Sequence, residues 1–287
     1  MKRLMLAVLF VLLSGVSAQA AEEAGGINPV EHVVDGQEWE LPGFTVHLPT
    51  LHLGGFALPI TKHVVMEWIA CLLIIAVVLV ARSGKGLVPS GLYNALESIV
   101  VFVRDELAVK NIGEHHGPAY VPYLLTVFCF ILAANFLGMI PFMATATSNI
   151  NVTFTLASMT LLLMVGTGIK AHGVVGYWTS LVPHGVPLWL WPVMFVVELL
   201  GLIAKPFALM LRLFANMLAG HMVILSLLGL IFTFTAVFGP VGGYGVLPVS
   251  LGFSLFVSLL EVLVALIQAY IFTFLTSLFI GMAVHSH

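Results

Sequence analysis

The run Lys205-Pro-Phe-Ala-Leu-Met-Leu-Arg-Leu-Phe-Ala-Asn-Met-Leu-Ala-Gly-His221 lies inside an apolar stretch that extends from Pro192 to Phe234. At 1.5 Å per residue that stretch makes a helix on the order of 65 Å long, and a second stretch, Gly252–Val284, makes one on the order of 50 Å. A hydrocarbon core is only about 30 Å thick. Each stretch must therefore be broken or steeply tilted. Pro206 is a candidate break in the first; nothing comparable interrupts the second. Glycine, proline and tyrosine in Gly239-Pro-Val-Gly-Gly-Tyr-Gly245 supply a turn between them. The pattern predicts two long, tilted helices packed as a hairpin. One charge stands out within it. From Pro206 onward only Arg212 and Glu261 carry charged side chains. A guanidinium keeps its proton, and near the middle of a membrane helix it costs roughly 2.5–3.5 kcal/mol. Such a residue faces a partner, a cavity or an ion path.

The rest of the chain fits a polytopic all-α membrane protein. It is 60% hydrophobic and 8% charged, against about 25% charged residues in soluble domains. Lys2 and Arg3, an apolar segment and Ser17-Ala-Gln-Ala20 read as a signal peptide over residues 1–20. Residues 21–63 form an acidic, lysine-poor tail, the kind that is translocated. The membrane domain, residues 64–287, has predicted spans at 64–81, 120–140, 151–169, 192–234 and 252–284. Arg82, Lys85 and Lys170 put the adjoining span ends, and hence the C-terminus, in the cytoplasm. Residues 92–109 alternate an apolar and a charged face and read as an interfacial amphipathic helix. Segment 172–191, rich in Gly, Pro and Trp, reads as an interfacial loop. Cys71 and Cys129 show no disulfide or metal spacing. No cofactor or metal motif is present, and the lack of a basic patch excludes nucleic-acid binding.

The chemistry is concentrated on two faces. Ala204, Ala208, Arg212, Asn216 and Gly220 follow one another at steps of four, flanked by Ala215 and Ala219. Small residues let another helix approach closely; they explain packing but not the arginine. Glu198 and Lys205 share roughly the same side and are either end-of-helix charges or a polar path toward Arg212. On the last helix Ser254, Ser258, Glu261, Ala265 and Gln268 fall on one face. They read either as polar glue between helices or as a wet path. His221 is either a packed core histidine or half of a proton-relaying pair with Glu261. The antiparallel hairpin would bring those two close while Arg212 meets Gln268. Asn135 adds a polar group in the second span.

These residues match a family. Leu211-Arg-Leu-Phe-Ala-Asn-Met-Leu-Ala-Gly-His221, preceded by Lys205-Pro206, resembles the signature of subunit a of F-type ATP synthase. Glu261 with Gln268, and Asn135-Phe-Leu-Gly-Met-Ile-Pro141, resemble two further motifs of that family. The similarity runs from about Glu31 to His287. It implies a non-catalytic stator subunit of the F0 sector in a bacterial inner membrane. The implied partners are the ring of c subunits, the b-subunit peripheral stalk and the remainder of the F0F1 complex. By the match, Arg212 faces the ring carboxylates, with Asn216 and Gln268 as its neighbours. His221, Glu261 and Asn135 match the outer half-channel, and Glu198 and Lys205 the cytoplasmic one. Ala204, Ala208 and Gly220 match the ring-facing small residues. In a common bacterial pattern glutamate and histidine occupy the His221 and Glu261 positions the other way round, and an exchange that preserves the pair supports their contact. The coupling ion, proton or sodium, is set largely by the ring and stays open. Two rivals are a stand-alone transporter with Arg212 as an anion site and a purely structural membrane subunit.

Overall fold

Long runs of apolar residues with few polar interruptions can satisfy their backbone only as helices once they leave water. A computed structural model of the chain describes residues 35–36, 38–41, 44–53, 56–82, 91–140, 143–182, 186–187 and 189–285. The expected signal segment, 1–20, and the start of the acidic tail lie outside the described residues. Among the described residues, four helices are long and apolar enough to cross a membrane, and the membrane part is all-α.

The described part of the tail is not featureless. It forms two small antiparallel hairpins. Strand β1 (Glu38–Leu41) pairs with β2 (Phe44–His47), and β3 (Thr50–Leu53) pairs with β4 (Phe56–Pro59). Four-residue strands are too short to give a readable period in sequence. Trp39 packs with Met66, Ala70, Ala134, Leu137 and Ala146. The tail therefore rests on the start of α1 (Lys62–Arg82) and the end of α4 (Gly117–Gly138).

Between α1 and α4 lies the amphipathic segment. It begins as α2 (Leu92–Phe102), widens into a π-helical segment at Val103–Val109 and ends as α3 (Lys110–Ile112). Val103, Leu107, Ala108 and Ile112 are buried, while Arg104, Asp105, Glu106 and Lys110 are exposed. The exposed ion pairs Arg104–Asp105 (2.7 Å) and Lys110–Glu106 (3.1 Å) contribute little in water. Asn111 Nδ2 donates to Ser277 Oγ at 2.9 Å, and His285 Nε2 lies 2.9 Å from the Ile112 carbonyl oxygen. These contacts fasten the segment to the end of the last helix.

Helix α4 stops at Gly138, short of the expected residue 140, because Pro141 disfavours helical geometry just before it. Helix α5 (Ile150–His172) starts at Asn149, whose side chain accepts from Asn151 N at 2.9 Å. It runs antiparallel to α4. Tyr120 Oη meets Thr167 Oγ1 at 2.9 Å and Tyr123 Oη meets Thr160 Oγ1 at 3.4 Å. The stretch read as a loop contains a further helix, α6 (Val174–Ser180), whose Tyr177 ring lies where a Gly168 side chain would go.

The two over-length stretches form one element, α7 (Trp191–Val284), broken at a single residue. Gly239, with φ 70° and ψ −172°, is the only non-helical position inside it. The expected turn over 239–245 thus contracts to one glycine, and the second arm starts at residue 240 instead of 252. Pro206 does not break the first arm. A proline in a helix loses one backbone bond, a loss that neighbouring helices make tolerable in membranes. Each arm, residues 191–238 and 240–284, is on the order of 70 Å long.

Candidate functional site

The two arms of α7 run antiparallel, and their register decides which polar groups meet. Lys205 Nζ sits 5.8 Å from the centre of the Phe279 ring. Asn216 Nδ2 donates to Gln268 Oε1 at 3.1 Å. Glu261 lies against Gly220, where an added Cβ would stand 2.7 Å from Glu261 Oε1. Nearer the turn, Ser250 Oγ donates to the Leu227 carbonyl. Gln268 is thus bonded to Asn216, and not to Arg212 as the sequence suggested. The reason is register: Asn216 follows Arg212 by one helical turn, and the arms pair it with residue 268. Gly220 lies against the second arm. Its missing side chain makes room for the Glu261 carboxylate, one residue before the half-buried His221.

The polar face of the second arm points inward. Ser254, Glu261, Ala265 and Gln268 are all buried, Gln268 to 1% exposure, and Ser258 is half-buried with its Oγ bonded to the Ser254 carbonyl at 2.9 Å. Two of these groups hold buried atoms without a hydrogen-bond partner, Ser254 Oγ and Gln268 Nε2. Leaving a polar atom so costs about 1–3 kcal/mol, and native proteins keep few of them, usually at a functional site. Asn135, fully buried on α4, closes the same region. Its Oδ1 accepts from Thr147 Oγ1 at 2.6 Å, and its Nδ2 reaches the Ala265 carbonyl at 3.5 Å. Ala265 lies between Glu261 and Gln268, one turn from each, so Asn135 comes beside both.

Arg212 lies on the exposed side of the first arm, one turn from Asn216. Leu202, Leu209, Leu213 and Met217 turn inward and are buried. Ala204, Ala208, Arg212, Ala215, Asn216 and Ala219 are exposed. No ion pair or hydrogen bond reaches Arg212 among the described residues. Glu198 and Lys205 are half-buried, Lys205 held by the Phe279 ring.

A second polar group went unnoticed in the sequence. Asp35 in the tail accepts from His63 Nδ1 at 2.8 Å and from Asn149 Nδ2 at 2.9 Å. The other ring nitrogen of His63 faces Ser148 Oγ at 3.5 Å. His63 stands at the end of an apolar span, where histidines are common, and its partners are 28 and 85 residues away. No local spacing connects them. The two polar residues Thr147-Ser148, following a proline, are the only sequence signal that points there.

Membrane-length helices and a charged hairpin define a multi-pass integral membrane protein. The family described as ATP synthase A chain matches residues 64–281. A protein of Chloroherpeton thalassium described as ATP synthase subunit a is 47% identical over 264 residues, covering 90% of this chain and 77% of that protein. One of Myxococcus xanthus with the same description is 49% identical over 273 residues, covering 89% and 88%. An ATP synthase subunit a 2 of Prosthecochloris aestuarii is 44% identical over 272 residues, covering 93% and 82%. The chain belongs to the ATP synthase A chain family.

Proposed function

We propose that the chain is the proton-translocating stator subunit of the F0 sector of ATP synthase. It works against a ring of c subunits and is held by the b-subunit stalk. The observation that carries this reading is Arg212, exposed and unpartnered on a stripe of small residues inside a membrane helix. A permanent charge in that setting needs an anionic partner, and the described residues form no ion pair with it. A carboxylate on another chain, moving past the alanine stripe, satisfies both the charge and the close approach.

One and two turns further along the same arm, Asn216 and Gly220 meet Gln268 and Glu261 of the second arm, and with the buried Asn135 these groups form a polar region. This region serves as the outer half-channel. A proton entering there reaches a ring carboxylate, and the ring turns through lipid with that site neutral. Past Arg212 the proton leaves toward the cytoplasm by Glu198 and Lys205. Arg212 favours the ionised carboxylate at the stator and so blocks a direct proton leak. The basic ends of α1 and α5 support a cytoplasmic C-terminus and a tail outside. The long arms lie steeply tilted along the ring.

Arg212→Ala is expected to abolish ATP synthesis driven by a proton gradient in inverted vesicles. Arg212→Lys is expected to be a poor substitute, because an ammonium loses its proton more readily on burial. Coupled synthesis retained by Arg212→Ala would sink this assignment. With protons as the coupling ion, the synthesis rate is expected to be unchanged when sodium is removed from both faces.

A further inference from the structure

We propose that His63 and Asp35 form the proton-loading relay at the outer mouth of the half-channel; the proposal rests on the function proposed above. His63 is 2% exposed while Asp35 is 35% exposed, so the pair joins water to a buried imidazole. Both ring nitrogens face oxygen. Nδ1 donates to Asp35 Oδ1 at 2.8 Å, and Nε2 faces Ser148 Oγ at 3.5 Å. Ser148 Oγ already directs its own proton to the Thr145 carbonyl at 2.8 Å. Its lone pairs are therefore what His63 Nε2 meets. An imidazolium donates from both nitrogens, so these surroundings hold a place for the added proton on either side of the ring. Asp35 is fixed for this task by Asn149 Nδ2 at 2.9 Å. The backbone around it is tied to α1 by Lys62 N donating to the Gly36 carbonyl at 3.1 Å.

The charged groups around the pair are few. Burial opposes a positive charge on His63, the Asp35 carboxylate favours it, and the Lys62 ammonium adds a smaller opposition. Glu67, one turn along α1, interacts with Asp35.

The site also leads inward. Thr145, Thr147 and Ser148 are buried in succession. Thr147 Oγ1 donates to Asn135 Oδ1 at 2.6 Å, and Asn135 reaches the Ala265 carbonyl between Glu261 and Gln268. This polar lining connects His63 to the region already assigned to the half-channel. The proton count balances. Asp35 takes one proton from outside water and passes it to Nδ1 of the Nε2–H tautomer. The imidazolium then gives the proton on Nε2 to half-channel water beside Ser148, which carries it inward as hydronium. His63 is left as the Nδ1–H tautomer, which reverts by ring rotation or exchange.

The test uses the whole complex in inverted vesicles, with ATP synthesis driven by a potassium–valinomycin potential. His63→Ala is expected to slow synthesis by about a hundredfold, the lower end of the roughly 10²–10⁴-fold commonly contributed by a positioned proton donor or acceptor. His63→Gln keeps hydrogen-bonding groups toward Asp35 and Ser148 but cannot carry a proton, and it is expected to be as slow. Free imidazole on both faces is expected to restore much of the rate in His63→Ala and to leave the native complex unchanged. A native rate in either variant overturns the relay. So does a normal rate for His63→Gln beside a slow, imidazole-insensitive His63→Ala, which marks a purely structural anchor. If His63→Ala fails to assemble, the rate of His63→Gln decides. Arg212→Ala run in parallel separates the two claims: if it stays active the stator reading fails, and if it is dead while the His63 variants run normally only the relay fails.

Discussion

At the scale of single residues, small groups govern large ones here. Gly220 is the only residue type that leaves the Glu261 carboxylate in place, since a Cβ would come within 2.7 Å of Oε1. Gly220→Ala is expected to displace that side chain and to cut proton-driven ATP synthesis several-fold while the complex still assembles. An unchanged rate would show that the carboxylate position is unimportant. Thr147 has a comparable role for Asn135. Thr147→Val keeps the side chain's shape but leaves Asn135 Oδ1 without its donor, a loss of about 1–3 kcal/mol for a buried acceptor. A lowered midpoint of thermal aggregation in detergent, with reduced proton flux, is the expected result; Thr147→Ser should restore both. Arg212, Glu261 and Gln268 were legible in sequence because charge and amide are conspicuous among leucines and phenylalanines. Asp35, Thr147 and Ser148 were not, because polar residues near a span end are ordinary and only their distant partners give them meaning.

At the scale of elements, the close contacts lie where glycine lets backbones approach. Gly281 on the second arm packs against the Asn111 carbonyl of the amphipathic segment, with no space for a Cβ. Gly281→Val is expected to destabilise that junction by about 1–3 kcal/mol, the usual cost of overpacking. Reduced recovery of the protein in purified complexes, compared with Gly252→Val at a position with open space around it, is the corresponding measurement. The hairpin turn depends on Gly239 in a second way. Its φ of 70° and ψ of −172° lie in a region essentially closed to other residues, where strain is on the order of 1–3 kcal/mol. The sequence marked residues 239–245 as a turn by composition. It did not show that Val241 to Tyr244 continue as helix, since glycine weakens helix propensity and only packing against the first arm outweighs it.

At the scale of the molecule, the first arm of α7 has one side covered by this chain and one side left open. The covered side holds Leu209, Leu213 and Met217; the open side holds Ala204, Ala208, Arg212 and Ala215. Cysteines at Ala204, Ala208 and Ala215 are expected to cross-link to cysteines on the outer helix of the ring, and cysteines at Leu209 and Leu213 are not. Equal cross-linking at both sets would mean that the ring docks elsewhere. The same asymmetry predicts that the gently extracted protein migrates with a multi-subunit complex and not alone, which also separates a stator from a stand-alone transporter.

The sequence by itself determined the membrane class, the over-length hairpin and the lone arginine within it. These follow from hydropathy, length and charge, which are properties of the chain read in one direction. Tertiary structure alone decided the pairings: Asn216 with Gln268, Gly220 with Glu261, Asn135 with Ala265, and Asp35 with His63. A helical face repeats about every seven residues, so sequence can say which residues share a face. It cannot say at which turn two faces meet. That register is set by the packing of whole helices, and here it sets Asn216 against Gln268 and Gly220 against Glu261, one and two turns along the first arm from Arg212.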